Sequence, residues 1–361
     1  MKIIVYFNSM SAAGGIERVI SKHIEFLAAK NKIILLTKDF SEPFYKLSDS
    51  VVHESLNIDF KLNMTSRLSR VFRILRTFQT TRNELKFQLS KHEPDIIYVA
   101  SPLNLLELLL AQFKCKNILV TEHSSYSSYN LIYKIIIRIF YKRVGLLTVP
   151  TRDDSFFYHS RKITNYYLPN PLTFYPKNPS ILKSKTLLNV GRFTNDKRQD
   201  LLIKIWSMTR GSELGWILKI IGQGENLKSM KELIGQLGLN DSVFIHPNTS
   251  DIESEFINSS IFALTSKNEG FGLVLSEAMA CGVPCVAFNC PSGPKDIINN
   301  GKSGYLVEEG EINLFVKHLN KLMQSEDLRI ALGSRARVEI MKFGADAISE
   351  QLNTLVDGKF R

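Results

Sequence analysis

The sequence lacks any apolar run that could cross a bilayer, which takes about 18 uncharged apolar residues. Its two most apolar stretches, Pro102–Phe113 and Leu131–Phe140, are short and are broken by Glu107, Lys134 and Arg138. The opening Met1-Lys2-Ile3-Ile4-Val5-Tyr6-Phe7 has the charge and apolar run of a leader. It stops at Asn8-Ser9 with no cleavage-like ending, so it reads as a buried first strand. Cysteine is scarce. Cys115, Cys281, Cys285 and Cys290 show no Cys-x-x-Cys spacing and no nearby His pair. That excludes a disulfide scaffold, argues against zinc or redox chemistry, and fits buried inert thiols in a reducing cytosol. Short internal repeats and low-complexity tracts are also missing. With 44% apolar and 22% charged residues, 20 Gly and 12 Pro, wholesale disorder and collagen-like or coiled-coil architectures are excluded. A length of 361 residues fits two domains better than one core.

What the sequence has in excess is positive charge, and in one half only. Residues 1–170 carry 24 Lys+Arg against 14 Asp+Glu, a net +10, whereas residues 171–361 carry 22 against 21, a net +1. Halves this different meet different partners. The densest segment holds Lys61, Arg67, Arg70, Arg73, Arg76, Arg82, Lys86 and Lys91 against a single acid, Glu84. Leu68, Val71, Phe72, Leu75 and Phe78 recur beside them at helical spacing. A second basic amphipathic stretch is Leu131–Arg143. Either helix alone is equally well a core-facing stripe with a solvated basic face. Together, in the half with nearly all the net charge, they point to an anionic membrane surface or substrate. Nucleic acid ranks low, since basic–aromatic interleaving, zinc fingers and ribonucleoprotein motifs are absent.

Strand-length apolar runs alternate with helical patterns. Lys2–Phe7, Lys32–Thr37, Ile96–Val99, Asn117–Thr121 and Leu146–Val149 read as strands, with helices such as Gly15–Ala29 and Leu103–Phe113 between them. The pattern restarts with strands at Thr186–Val190, Trp216–Ile221, Val243–His246, Ile261–Leu264 and Pro284–Phe288. Helices are expected at Gln199–Trp206, Asn226–Leu237 and Leu273–Ala280. This is an α/β chain with two doubly wound sheets facing across a cleft. Domains are expected at 1–168 and 181–345, with a linker at 169–180 stiffened by Pro169, Pro171, Pro176 and Pro179, and a terminal helix at 346–361 that crosses back. In such sheets ligands bind beyond the carboxyl ends of the strands.

Four segments there carry candidate chemistry. Gly14-Gly15 opens a helix after the first strand, allowing close backbone approach to an anion or simply a tight turn. Gly191-Arg192-Phe193-Thr194-Asn195-Asp196-Lys197 offers Arg192 and Lys197 to a diphosphate. Capping of the next helix by Thr194, Asn195 or Asp196, with surface cations, explains the same residues. Glu269-Gly270-Phe271-Gly272-Leu273 leads into a helix whose start is open to a ligand, with Glu277 about one turn inside. Thr121-Glu122-His123 places a His after a strand, where it either meets a ligand or is a satisfied structural residue.

As a set these residues resemble the retaining glycosyltransferase family four, of the GT-B fold. Glu269 and Glu277 around Gly-Phe-Gly-Leu resemble its paired-glutamate motif. Ala278-Met279-Ala280-Cys281-Gly282-Val283-Pro284, Gly14-Gly15-Ile16-Glu17-Arg18, Gly191-Arg192 with Lys197, and Asn300-Gly301 with Gly304-Tyr305-Leu306-Val307 also fit. The resemblance implies transfer of a hexose or N-acetylhexosamine from a nucleotide sugar, most often a UDP-sugar, with retained anomeric configuration. It implies that Arg192 and Lys197 hold the donor diphosphate, that Glu277 binds the ribose, and that Glu269 contacts the sugar near the reacting carbon. The backbone of Gly270, Phe271, Gly272 and Leu273 would meet phosphates and sugar, Gly15 the diphosphate, and His123 the transferred sugar. No cofactor and no metal are implied, in keeping with the lack of an Asp-x-Asp motif.

Cys290-Pro291-Ser292-Gly293-Pro294-Lys295-Asp296 departs from the family's commoner Gly-Gly-x-x-Glu run and is similar to members that build capsule, O-antigen or lipid-linked oligosaccharide. The expected acceptor is then a lipid-linked or polysaccharide glycan. Arg67, Arg70, Arg73 and Arg76 would hold its pyrophosphate and bring the enzyme to the cytoplasmic membrane face. Rival readings are an epimerase or phosphorylase on the same fold, and a non-catalytic glycan-binding scaffold subunit.

Overall fold

The computed structural model describes residues 1–58 and 67–361, with side chains from residue 77 onward in the helix that starts at Arg67. Two compact units divide the chain: Met1–Pro171 together with Asp346–Arg361, and Leu172–Ala345.

The first unit runs β1 (Lys2–Phe7), α1 (Gly15–Ala28), β2 (Lys32–Thr37), β3 (Val52–Ser55), α2 (Arg67–His92), β4 (Ile96–Val99), α3 (Pro102–Leu110), β5 (Ile118–Thr121), α4 (Leu131–Phe140), β6 (Leu146–Val149), α5 (Arg152–Ser160) and β7 (Tyr166–Tyr167). Its strands form one parallel sheet in the order β3-β2-β1-β4-β5-β6-β7. Helices cover such a sheet on both faces, so β4, β5 and β6 are buried along their whole length and read as unbroken apolar runs. Short polar side chains start the helices. Ser101 accepts from Leu103 N, Asn130 from Tyr133 N and Thr151 from Asp154 N.

The second unit contains β8 (Thr186–Val190), α6 (Gln199–Ser207), β9 (Ile217–Ile221), α7 (Leu227–Gln236), β10 (Val243–His246), α8 (Ile252–Ile257), β11 (Ile261–Leu264), α9 (Leu273–Ala280), β12 (Cys285–Phe288), α10 (Pro294–Ile297), β13 (Gly304–Val307), α11 (Ile312–Gln324) and α12 (Glu326–Ile340). Its parallel order is β10-β9-β8-β11-β12-β13. Alternate side chains of β11 feed two apolar clusters. Phe262 and Leu264 pack with Leu275, Met279 and Phe343, while Ile261 and Ala263 pack with Trp206, Ile220, Phe288 and Phe315. Both faces of this sheet are therefore core.

The segment 168–185 has no helix or strand. From Leu172 onward it is fastened to the second unit: Leu172 N donates to Phe343 O at 2.8 Å and Ser180 N to Cys281 O at 2.9 Å. The last helix, α13 (Ala345–Phe360), returns to the first unit. There Leu352 and Val356 are buried and Asn353 Nδ2 donates to Phe26 O at 3.2 Å. All four cysteines are free thiols, and burial pushes those of Cys281 and Cys290 up to about 12. Among the described residues no helix is long and apolar enough to cross a membrane.

Candidate active site

In the second unit the strand order reverses between β8 and β11, so the loops that follow these two strands lie side by side at the carboxyl edge. They are stitched together. Lys267 N donates to Asp196 O at 2.7 Å, and Thr265 Oγ1 to Arg198 O at 2.9 Å. Lys197 Nζ lies 2.5 Å from Glu269 Oε1, with the Glu269 side chain 8% and the Lys197 side chain 22% exposed. Arg192, on the same loop, is exposed, and among the described residues no hydrogen bond or ion pair holds its guanidinium. None of Thr194, Asn195 and Asp196 caps α6. The capping position is Arg198, at φ 50°, and it makes no side-chain cap bond. The loop is shaped instead by its backbone, with Lys197 N donating to Thr194 O and Phe193 N to Gln223 O.

That last bond exposes two residues that sequence reasoning missed. Gly222 and Gly224 follow β9, and a Cβ on Gly224 would come within 2.4 Å of Phe193 O. Only glycine lets the β9 loop support the Arg192 loop so closely. The available signal was a Gly-x-Gly directly after an apolar strand.

Gly270, Phe271 and Gly272 lead into α9, whose capping position is Gly272 with no side-chain cap bond. Leu275 N and Ser276 N donate to Gly272 O, which leaves the Leu273 and Val274 amides open to an anion. The Phe271 side chain is core, packed edge-on against Phe343 at 5.2 Å, so only its backbone can face a ligand. Gly293 braces this loop from β12. Its φ is 98°, and a Cβ there would lie 2.0 Å from Phe271 O. Glu277, in the fifth position of α9, is buried and accepts from Thr173 Oγ1 at 2.9 Å. Cys290 is buried beside the pair; burial and Glu269 raise its thiol while Lys197 draws it down.

In the first unit Gly15 is the exposed first residue of α1, after a capping Gly14 that has no side chain to offer. His123 follows β5 and is buried in a chain of hydrogen bonds. Thr121 Oγ1 donates to Tyr98 OH at 2.7 Å, Thr121 Oγ1 and His123 Nε2 are 3.0 Å apart, and Tyr98 OH lies 3.0 Å from His23 Nδ1. With its proton given to Tyr98, the Thr121 oxygen accepts from His123 Nε2–H, which leaves His123 Nδ1 as a bare acceptor. The same ordering makes Tyr98 donate to His23 Nδ1 and leaves the proton on His23 Nε2. Both of these outer nitrogens are buried without a partner. Burial lowers His123 to about 4; burial and His123 lower His23 to about 3, so both rings are neutral near pH 7. His23 escaped sequence reasoning because it sits mid-helix with nothing local to mark it. Next to His123, the Glu122 carboxylate accepts from Tyr129 OH and Tyr141 OH, and burial raises it to about 7.

The structure therefore brings Lys197, Glu269 and Gly270–Leu273 together in one unit, with Glu277 a turn away, and places His123 and Gly15 in the other. The side chains of Arg67, Arg70, Arg73 and Arg76 lie outside the described residues. Among the described residues no group of three or more His, Cys, Asp or Glu forms a metal site. Two cations, bare helix amides and a carboxylate suit an anionic ligand carrying hydroxyls.

The chain is similar to known glycosyltransferases. Residues 13–164 match the family model Glycosyltransferase Family 4, and residues 173–339 match Glycosyl transferases group 1. An uncharacterized glycosyltransferase of Haemophilus influenzae is 28% identical over 361 residues, spanning 97% of this chain and 98% of that one. The amylovoran biosynthesis glycosyltransferase AmsD of Erwinia amylovora is 26% identical over 370 residues, spanning 99% of each. A crystal structure of a Staphylococcus aureus TarM variant in complex with fondaparinux, α-GlcNAc-glycerol and UDP superposes with a TM-score of 0.81 at 15% identity, covering 98% of this chain and 99% of that one.

Proposed function

This chain belongs to the group 1 glycosyltransferases and has their GT-B fold, and from that premise we propose that it moves a hexose or N-acetylhexosamine from a UDP-sugar to a lipid-linked or polysaccharide acceptor in bacterial surface-glycan assembly. We propose further that the anomeric configuration is retained and that no bound metal is needed. One observation carries the reading. The Lys197–Glu269 pair sits at the reversal of the second sheet, with Arg192, unpaired among the described residues, on the same loop and the start of α9, which no side chain caps, next to Glu269 in the chain.

In such a transfer the bond from the anomeric carbon to the diphosphate oxygen breaks. A bond to the acceptor oxygen forms on the same face, and the acceptor proton ends on the released diphosphate. Charge grows on the leaving group, where Lys197, Arg192 and the α9 amides stabilise it without the reorganisation water would need. An arriving diphosphate competes with Glu269 for the Lys197 ammonium, freeing that carboxylate to meet the donor sugar. Glu277 takes the ribose hydroxyls with its carboxylate. Neutral His123 accepts from a hydroxyl of the transferred sugar through Nδ1, and Gly15 offers its amide to the diphosphate. Arg67, Arg70, Arg73 and Arg76 hold the acceptor's pyrophosphate and bring the protein to the cytoplasmic membrane face.

The test is incubation with a panel of nucleotide sugars and membrane lipid extract, with and without chelator, and product identification by mass. A glycosylated product of retained configuration in the presence of chelator is expected. Nucleotide release with no glycan product, or turnover abolished by chelator, overturns the reading.

A further inference from the structure

Helix α4 is apolar on the side where a surface helix is polar. Ile136 and Ile137 are buried in the first unit, as its packing requires. On the opposite side Leu131 is 73%, Ile132 66%, Ile135 48% and Ile139 47% exposed. At about 100° per residue these four fall within one arc of roughly a third of a turn. Four large aliphatics side by side in water, on a well-capped helix, mark a surface that meets something apolar.

The chemistry of the partner is set by the charges around that arc. From Leu131 to Arg143 there is no acidic residue, while Lys134, Arg138, Lys142 and Arg143 contribute four cations. Arg138, Lys142 and Arg143 are exposed, and among the described residues no ion pair engages them. We propose that the Leu131–Ile132–Ile135–Ile139 face of α4 docks the protein on a bilayer rich in anionic lipid, the aliphatics entering the headgroup boundary and the cations lying on the phosphates. This rests on the acceptor being at a membrane, and it names the surface that would reach it.

A second observation ties this face to the sugar-handling loop. Tyr129, just before α4, and Tyr141, just after it, both donate to the one carboxylate of Glu122, the neighbour of His123. The helix is clamped at both ends to the strand end that carries His123, so docking through α4 holds that loop in a constant position relative to the lipid surface.

The test uses the full chain carrying Ile135→Trp and vesicles with brominated acyl chains. The natural Trp206 and Trp216 are buried in the second unit and give a fixed background. Vesicles of phosphatidylcholine with phosphatidylglycerol should quench the new indole, and phosphatidylcholine alone much less. Ile135→Gln with Ile139→Gln should weaken vesicle binding by about 10-fold or more per residue. Arg138→Gln with Lys142→Gln should weaken it about 5-fold per charge at low salt. Circular dichroism and thermal melts of all variants should match the parent, which shows that both units are folded, and UDP binding, followed by calorimetry without vesicles, should be unchanged. Absent quenching with UDP binding intact overturns this inference and leaves the proposed function standing. Loss of UDP binding by the unmodified protein overturns the latter. A concentration-dependent dimer that Ile135→Gln dissolves, with no quenching, assigns the face to a second copy and also overturns the inference.

Discussion

Replacing Lys197 with Ala removes an ammonium 2.5 Å from Glu269 Oε1. At an effective dielectric of about 20, unit charges at that separation attract by about 7 kcal/mol. Desolvation of both groups, and screening at the 22% exposed Lys197 side chain, take back most of it. The expected loss of folding stability is therefore on the order of 1–3 kcal/mol. The effect on turnover should be larger than so modest a destabilisation suggests. An ammonium aimed at a leaving diphosphate acts mainly when charge accumulates there, so kcat should fall ~10²-fold or more. The assay is steady-state nucleotide release with product mass, run beside thermal melts. Glu269→Gln supplies the second edge of a double-mutant cycle, because it removes the carboxylate charge while keeping its shape. A Lys197→Ala protein that loses stability as expected but keeps kcat within a few-fold would refute the reasoning, since the pair would then be only a structural tie between the β8 and β11 loops.

Acid should weaken the first unit through its buried histidines. His123 titrates at about 4 in the folded chain against an ordinary 6.5, so below pH 6.5 the unfolded state binds more protons. Stability present above about pH 6.5 should be lost progressively towards pH 4, by about 3 kcal/mol from His123, read in denaturant titrations at stepped pH as the difference between the parent and His123→Asn, so that the opposite contribution of Glu122, raised to about 7, cancels; a flat difference rules this out. Tyr98→Phe cuts the link between His23 Nδ1 and Thr121 and frees the His123 tautomer. It should lower kcat/KM about tenfold and cost roughly 1–3 kcal/mol of stability, because His23 Nδ1 and the Thr121 hydroxyl lose a buried partner, and unaltered kinetics would show that the link does not order His123. Gly293→Ala drives a Cβ into Phe271 O and should lower stability by roughly 1–3 kcal/mol while weakening UDP binding in calorimetry. A variant with native Tm and affinity would contradict the bracing role.

The strands legible beforehand are those built on apolar runs. Lys2–Phe7, Lys32–Thr37, Ile96–Val99, Leu146–Val149, Thr186–Val190, Val243–His246 and Ile261–Leu264 appear at the boundaries expected, because a parallel strand covered on both faces is apolar over most of its length. Val52–Ser55 escaped notice because an edge strand pairs through its backbone, and Val-His-Glu-Ser carries no apolar run. Tyr166–Tyr167 was too short to leave a pattern. At the candidate site, Lys197 and Glu269 could be assigned to loops after strands. Their contact, across 72 positions, depends on β8 and β11 being neighbours, which no local spacing encodes. His23 and Thr173 matter only through partners distant in the chain, so their own surroundings in sequence are silent.

The return of α13 has a consequence for how the protein is made. Residues 172–345 are an insertion within the first unit, whose core stays open until Leu352 and Val356 arrive. On the ribosome the inserted part can therefore finish first, while its host waits for the final helix with apolar surface uncovered. Release of a chain cut before Ala345 should leave one folded half attached to one that aggregates.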